Sequence, residues 1–168
     1  MRIRAIAGSI TAFLAPTVAT AGGTTAIDLQ NLTCSAAGSV AEAAGPTPGS
    51  RGIEWRVTYD GNWALCEGPL PEAAAASGLS FMVRSDKADM LLVRVSEDSG
   101  EAFFALVPVT TAWTALRLVW RQFGPDPATP GDGVLAPDSL VSFLIGEGAG
   151  AEGAIGSRTI WLADSALD

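Results

Sequence analysis

The segment Gly52–Asp60, GIEWRVTYD, alternates without a break. Ile53, Trp55, Val57 and Tyr59 fall on one parity, and Glu54, Arg56, Thr58 and Asp60 on the other. A helix would scatter those apolar side chains around its axis, whereas a strand places them all on one face, so this is a half-buried β-strand. Asp60-Gly61-Asn62 closes it as a turn. The same grammar recurs along the chain. Strands are expected at Trp63–Cys66, Leu79–Arg84, Met90–Ser96, Ala102–Val109, Trp113–Phe123, Leu140–Ile145 and Thr159–Leu167. Turn clusters such as Ser85-Asp86-Lys87-Ala88-Asp89 and Glu97-Asp98-Ser99-Gly100-Glu101 separate them. Glu72–Ala76 is the one plausible helical turn. Gly124–Asp138 holds Pro125, Pro127, Pro130 and Pro137 and must be a loop, and a Gly/Ala-rich connection, GEGAGAEGAIGS, precedes the last strand. About eight short strands punctuated this way, with almost no helix, give an all-β antiparallel sandwich or jelly roll.

The chain has 168 residues, the size of one ordinary domain. Residues 1–21 read as a secretory signal peptide: Arg2 and Arg4, an apolar run, and a small-x-small close at Ala19-Thr20-Ala21. The run is short and broken by Gly8 and Pro16, which disfavours a membrane anchor. Residues 22–50, rich in Gly, Ala, Ser, Thr and Pro, read as an extended arm with one short strand at Ala26–Leu32, and residues 51–168 as the sandwich domain. A secreted or periplasmic location follows from the leader. An exported chain with two cysteines, Cys34 and Cys66, is expected to form a disulfide. The formal charge is −8, and −10 once Arg2 and Arg4 leave with the signal. Such a balance speaks against nucleic acid and anionic membranes, which take most of their affinity from basic surfaces. There is no histidine, which removes Ser-His-Asp and Cys-His chemistry and histidine-based zinc sites.

Four pieces share a further pattern: GLSFMVRSD (Gly78–Asp86), VSEDSGEAFFALVPV, TTAWTALRLVWRQF and the closing GSRTIWLADSAL. Together they resemble the galactose-binding-domain-like jelly roll of carbohydrate-binding modules, especially family 11 modules and the related complex I intermediate-associated proteins. The likeness covers roughly residues 50–168. It implies a glycan or polyol bound on a concave sheet. It also implies a structural calcium, for which Asp164 and an N-terminal partner, Asp28, are the expected ligands. Asp126, Asp132 and Asp138 in the proline-rich loop lack the spacing of an EF-hand.

A sugar offers apolar CH faces and paired hydroxyls, so its site needs an exposed aromatic and planar hydrogen-bonding groups. Arg56, Arg84, Arg94 and Arg117 each lie within an expected strand, flanked by residues of core parity, and are expected to gather on one sheet. Trp63, beside a turn, and Tyr59, at a strand end, are the candidate aromatics. Leu116, Leu118 and Trp120 are assigned to the core, Arg117 and Arg121 to the outside. Trp55, Trp113 and Trp161 are read as packing residues. Glu54, Glu97, Glu101 and Glu147 show no pairing of the kind glycoside hydrolysis requires, so the expectation is a binding domain rather than an enzyme. The reading adopted is an exported, non-catalytic carbohydrate-binding module. The alternative is a structural or protein-interaction β-sandwich with no glycan site.

Overall fold

The computed structural model describes residues 24–35, 38–73, 75–148 and 153–168; the expected signal peptide lies outside them. Among the described residues there are twelve strands, three short 3-10 turns and no α-helix. The strands are β1 (Thr25–Ala26), β2 (Thr33–Cys34), β3 (Gly38–Ala44), β4 (Arg51–Asp60), β5 (Ala64–Pro69), β6 (Gly78–Ser85), β7 (Asp89–Glu97), β8 (Ala102–Val109), β9 (Thr114–Val119), β10 (Gly124–Pro125), β11 (Leu140–Glu147) and β12 (Ile155–Leu167). They form two antiparallel sheets. The first runs β3-β4-β12-β6-β9, with β1 also on β12; the second runs β10-β8-β7-β11-β5-β2. This is a β-sandwich jelly roll.

Alternation decides which side of each strand is buried. Ile53, Trp55, Val57 and Tyr59 of β4 are buried. They meet Leu91, Val93 and Val95 of β7 and Phe143 and Ile145 of β11 in one core between the sheets. Closing it removes several large side chains from water, at roughly 1.5–3 kcal/mol each.

One polar feature interrupts the core. Arg158 of β12 and Glu147 of β11 have core parity, are almost wholly buried, and form an ion pair between the two sheets. Ser85 Oγ accepts from Arg158 Nε at 2.7 Å, and Asp89 lies 3.8 Å away. A buried guanidinium needs such partners, because desolvating an uncompensated charge costs several kcal/mol.

The segment expected as an extended arm is instead threaded into both sheets. β3 pairs with β4 over seven positions, from Gly38 opposite Val57 to Ala44 opposite Arg51. β1 takes over beside β12 where β4 ends, with Thr25 opposite Leu167. The single strand expected at Ala26–Leu32 is split: Leu29–Asn31 form a 3-10 turn, whose start Asp28 caps through Gln30 N at 2.9 Å. Asp28 competes for the backbone as an N-cap does, so extended pairing stops there. The small residues of β3 gave no apolar alternation to read; they suit an edge strand where Gly38 must sit against the Trp55 indole.

Cys34 and Cys66 are bridged. They are also register partners between β2 and β5, so the disulfide pins the N-terminal segment to the second sheet.

Two further expectations are corrected. In the expected helical turn Glu72–Ala76, Ala74 lies outside the described residues; the others are not in a helix, and Ala76 N donates to Ala73 O in a turn. The strand expected to reach Phe123 ends at Val119, and Trp120–Gln122 make a 3-10 turn. Trp120 is therefore only partly buried, its indole N–H bonded to Ala76 O at 2.7 Å. Arg121 leaves the strand altogether.

Candidate functional site

Parity shows whether a side chain faces the core, but not which sheet its strand joins. β4, β6 and β9 belong to the first sheet and β7 to the second. Arg56, Arg84 and Arg117 therefore lie on the outer face of the first sheet, and Arg94 on the outer face of the second, on the opposite side of the sandwich. The expected gathering of four guanidinium groups does not occur. Arg56 pairs with Glu54, Nε to Oε1 at 2.5 Å, and Arg117 with Asp168 at 2.9 Å. Tyr59 is buried, its ring packed against Gly156. Its parity placed it inward, and proximity to the turn does not bring it out.

Trp63 is different. It follows the turn at Gly61, whose φ of +93° favours glycine, and it is 44% exposed. Its six-membered ring lies over Gly148: a Cβ there would stand 2.6 Å from the ring. The ring thus rests against the backbone just past the end of β11, at one end of the second sheet.

Below Trp63 the outer face of that sheet is laid out in two rows. In the first, Leu65 of β5 opposes Gly146 of β11, which opposes Leu92 of β7, which opposes Leu106 of β8. Gly146 leaves a dip, since a Cβ would come within 3.0 Å of both leucines beside it. In the second row, Glu67, Leu144, Arg94 and Phe104 face one another in turn, ending at Gly124 of β10. Trp63, Leu92, Arg94, Phe104 and Leu106, with Asp126 and Pro127 from the proline-rich loop, line a cavity of about 370 Å³.

The polar centre is the Arg94–Asp126 pair, Nε to Oδ2 at 3.1 Å, with both side chains about four-fifths buried. Among the described residues Arg94 uses only that N–H, and its terminal amino groups keep their donors. Asp126 Oδ1 accepts from Ala128 N at 3.0 Å, which fixes the carboxylate. At the far rim Ser142 Oγ donates to Glu67 at 2.7 Å.

The loop carrying Asp126 and Pro127 is suspended from two buried glutamates. Glu101 accepts from Asp132 N at 3.1 Å and Gly133 N at 2.7 Å; Glu97 accepts from Ala136 N at 2.7 Å. The other two glutamates considered for catalysis are also engaged. Glu54 Oε2 receives the Trp161 indole N–H at 2.9 Å, and Glu147 pairs with Arg158.

Asp28 and Asp164 do line one cavity, of about 350 Å³, with Glu42 and Arg51. Both carboxylates accept hydrogen bonds within the chain. Asp28 holds Gln30 N and Asn31 Nδ2, Asp164 holds Ser50 Oγ at 2.9 Å, and Arg51 pairs with Glu42 at 3.3 Å. Among the described residues no three His, Cys, Asp or Glu side chains are grouped as metal ligands; calcium also draws on backbone carbonyls and water.

Of the expected site residues, Trp63 and Arg94 come together, Arg84 lies apart with Trp113 and Trp161, and Tyr59, Arg56 and Arg117 join neither group. Leu92, Phe104 and Leu106 are not among the expected site residues, and Asp126 enters there only as a metal ligand weighed on spacing. Asp126-Pro127 was legible as part of a loop, but nothing local to it names Arg94, thirty-two positions earlier.

Neither a family model nor a curated protein matches the chain. Solved structures do. A family 11 carbohydrate-binding module from Clostridium thermocellum, in complex with a β-1,3-1,4-mixed-linked tetrasaccharide, is 14% identical, with a TM-score of 0.65 over 86% of this chain and 95% of that one. A family 30 module of a Clostridium thermocellum cellulosomal cellulase is 12% identical, with a TM-score of 0.55 over 86% and 89%. An exo-β-agarase is 11% identical, with a TM-score of 0.55 over 83% of this chain and 24% of the enzyme. The shared property at these identities is the jelly-roll fold of carbohydrate-binding modules.

Proposed function

We propose that this protein is an exported, non-catalytic carbohydrate-binding domain, and that its glycan lies along the outer face of the second sheet. One observation carries the reading: an exposed tryptophan, its six-membered ring against Gly148, borders a cavity with the largely buried Arg94–Asp126 pair at its centre. Trp63 offers a face for the CH side of a pyranose. The free amino groups of Arg94 donate to ring hydroxyls and Asp126 accepts from them, with Leu92, Phe104 and Leu106 excluding water between them. Binding of this kind takes its energy from stacking and area, and its selectivity from a few fixed polar groups.

The non-catalytic part of the reading rests on the four glutamates. Each is bonded to the protein itself: Glu54 to Arg56 and Trp161, Glu97 and Glu101 to the proline-rich loop, and Glu147 to Arg158. The disulfide agrees with an oxidising, extracytoplasmic compartment. No helix among the described residues is long and apolar enough to cross a membrane.

The experiment is affinity electrophoresis in gels containing neutral β-glucans, agarose or xylan. The mixed-linked β-1,3-1,4 tetrasaccharide bound by the structurally similar family 11 module serves as the first soluble probe. Retardation in at least one gel, abolished in Trp63→Ala and in Arg94→Ala, is expected. Unretarded migration in all of them, with capture of a protein partner by the same face, would instead establish an interaction sandwich.

A further inference from the structure

The outer face of the first sheet carries a second arrangement that the glycan reading does not use. Trp161 of β12 opposes Glu54 of β4 on one side and Arg84 of β6 on the other. Glu54 fixes the indole through its N–H at 2.9 Å. The Arg84 guanidinium lies 4.0 Å from the centre of the Trp161 ring and 5.4 Å from that of Trp113. Glu54, Trp161, Arg84 and Trp113 thus form a continuous band across the sheet.

Arg84 is the odd member. The other arginines on this face have carboxylate partners, Glu54 for Arg56 and Asp168 for Arg117. Arg84 has none: its Nε is buried without a hydrogen-bond partner, and no ion pair or hydrogen bond engages its terminal amino groups among the described residues. Two indoles hold the group in place while its donors remain unused. A guanidinium so pre-organised is matched by a planar anion with two acceptor oxygens, which it grips in a fork.

We propose that this face is a second ligand site, for the carboxylate of an acidic sugar. Arg84 binds the carboxylate, and the Trp113 indole takes the CH face of the same ring. A uronate combines both features, a planar anion on an apolar-faced ring, whereas a peptide carboxylate brings no such face. The chain's overall negative charge does not forbid this, because charges beyond about 8 Å are largely screened at physiological salt. The site does not depend on Trp63; only the choice of a glycan over another carboxylate leans on the proposed function.

The test is calorimetric titration of the protein with trigalacturonate and with its methyl ester, which keeps the rings but removes the charge. The free acid is expected to bind more weakly as salt rises, and the ester not to bind. Arg84→Met is expected to weaken binding at least tenfold and Arg84→Lys several-fold, because lysine keeps the charge but loses the fork. Trp63→Ala is expected to leave uronate binding unchanged. Should Arg84→Met fail to fold by near-ultraviolet circular dichroism, Arg84→Lys decides. Equal binding of acid and ester, indifference to both Arg84 variants, or loss in Trp63→Ala overturns the proposal. So does polyglutamate binding with the same Arg84 dependence while trigalacturonate does not bind. Failure of neutral glucans to bind at Trp63 bears on the proposed function alone.

Discussion

Trp63 and Gly148 act as a pair. The ring occupies the space that a Cβ at position 148 would take, at 2.6 Å. Gly148→Ala leaves the backbone unstrained but lifts the indole, the end of a flexible side chain. The expected result is a several-fold loss of glycan affinity with a melting temperature within a few degrees of the parent, read by titration and calorimetry. Gly52 makes a contrasting case. A Cβ there would stand 2.0 Å from Leu162 O, a backbone atom that cannot swing away. Gly52→Ala is therefore expected to destabilise by about 1–3 kcal/mol, as overpacking commonly does, measured by denaturant melting. At this scale the sequence places Trp63 at the surface, because a tryptophan beside a turn has little to pack on. It offers Tyr59 as well, but that ring is buried against Gly156, on a strand nearly one hundred positions away.

At the scale of elements, alternation located the long strands. β4, β6, β7 and β8 bury the residues their parity selects, and that is why the sandwich was legible. It failed where side chains are too small to alternate in hydrophobicity, as in β3, and where a polar side chain takes over the backbone, as Asp28 does. Sheet membership was also hidden. Arg84 and Arg94 look alike in sequence, each between core residues, yet they face opposite solvents because β6 and β7 lie in different sheets. The proline-rich loop shows what a buried acid can do for an element. Glu101 accepts two backbone N–H bonds from it, at 3.1 and 2.7 Å. In Glu101→Gln one amide end cannot accept, so an N–H is left unsatisfied at a cost of about 1–3 kcal/mol. Because Asp126 and Pro127 lead into that loop, glycan affinity should fall together with stability. Thermal melting and titration of the same variant check both.

Over the whole molecule, two devices join what the strands alone leave separable. The disulfide anchors the N-terminal segment to the second sheet through β2 and β5. Cys34→Ser with Cys66→Ser is expected to remove about 2–4 kcal/mol, lowering the melting temperature by roughly 5–15 °C for a domain of this size. The Arg158–Glu147 pair ties sheet to sheet inside the core. Arg158→Met alone removes the cationic partner of a buried carboxylate and should cost about 3–5 kcal/mol. The double change to apolar residues should cost much less, as a double-mutant cycle would show. Arg158 lies just outside the last strand expected from sequence, Thr159–Leu167; β12 starts at Ile155 and points Arg158 inward.

The central claim is that the second sheet presents its outer face to a glycan. The most direct measurement is a two-dimensional NMR titration of the nitrogen-15-labelled protein with a bound β-glucan oligosaccharide, following the five tryptophan indole N–H signals. The Trp63 signal should shift in proportion to saturation, together with the backbone amides of Arg94, Phe104 and Asp126, while Trp55 in the core stays fixed. A bound glycan that leaves Trp63 and Arg94 unmoved and shifts signals elsewhere would contradict the account.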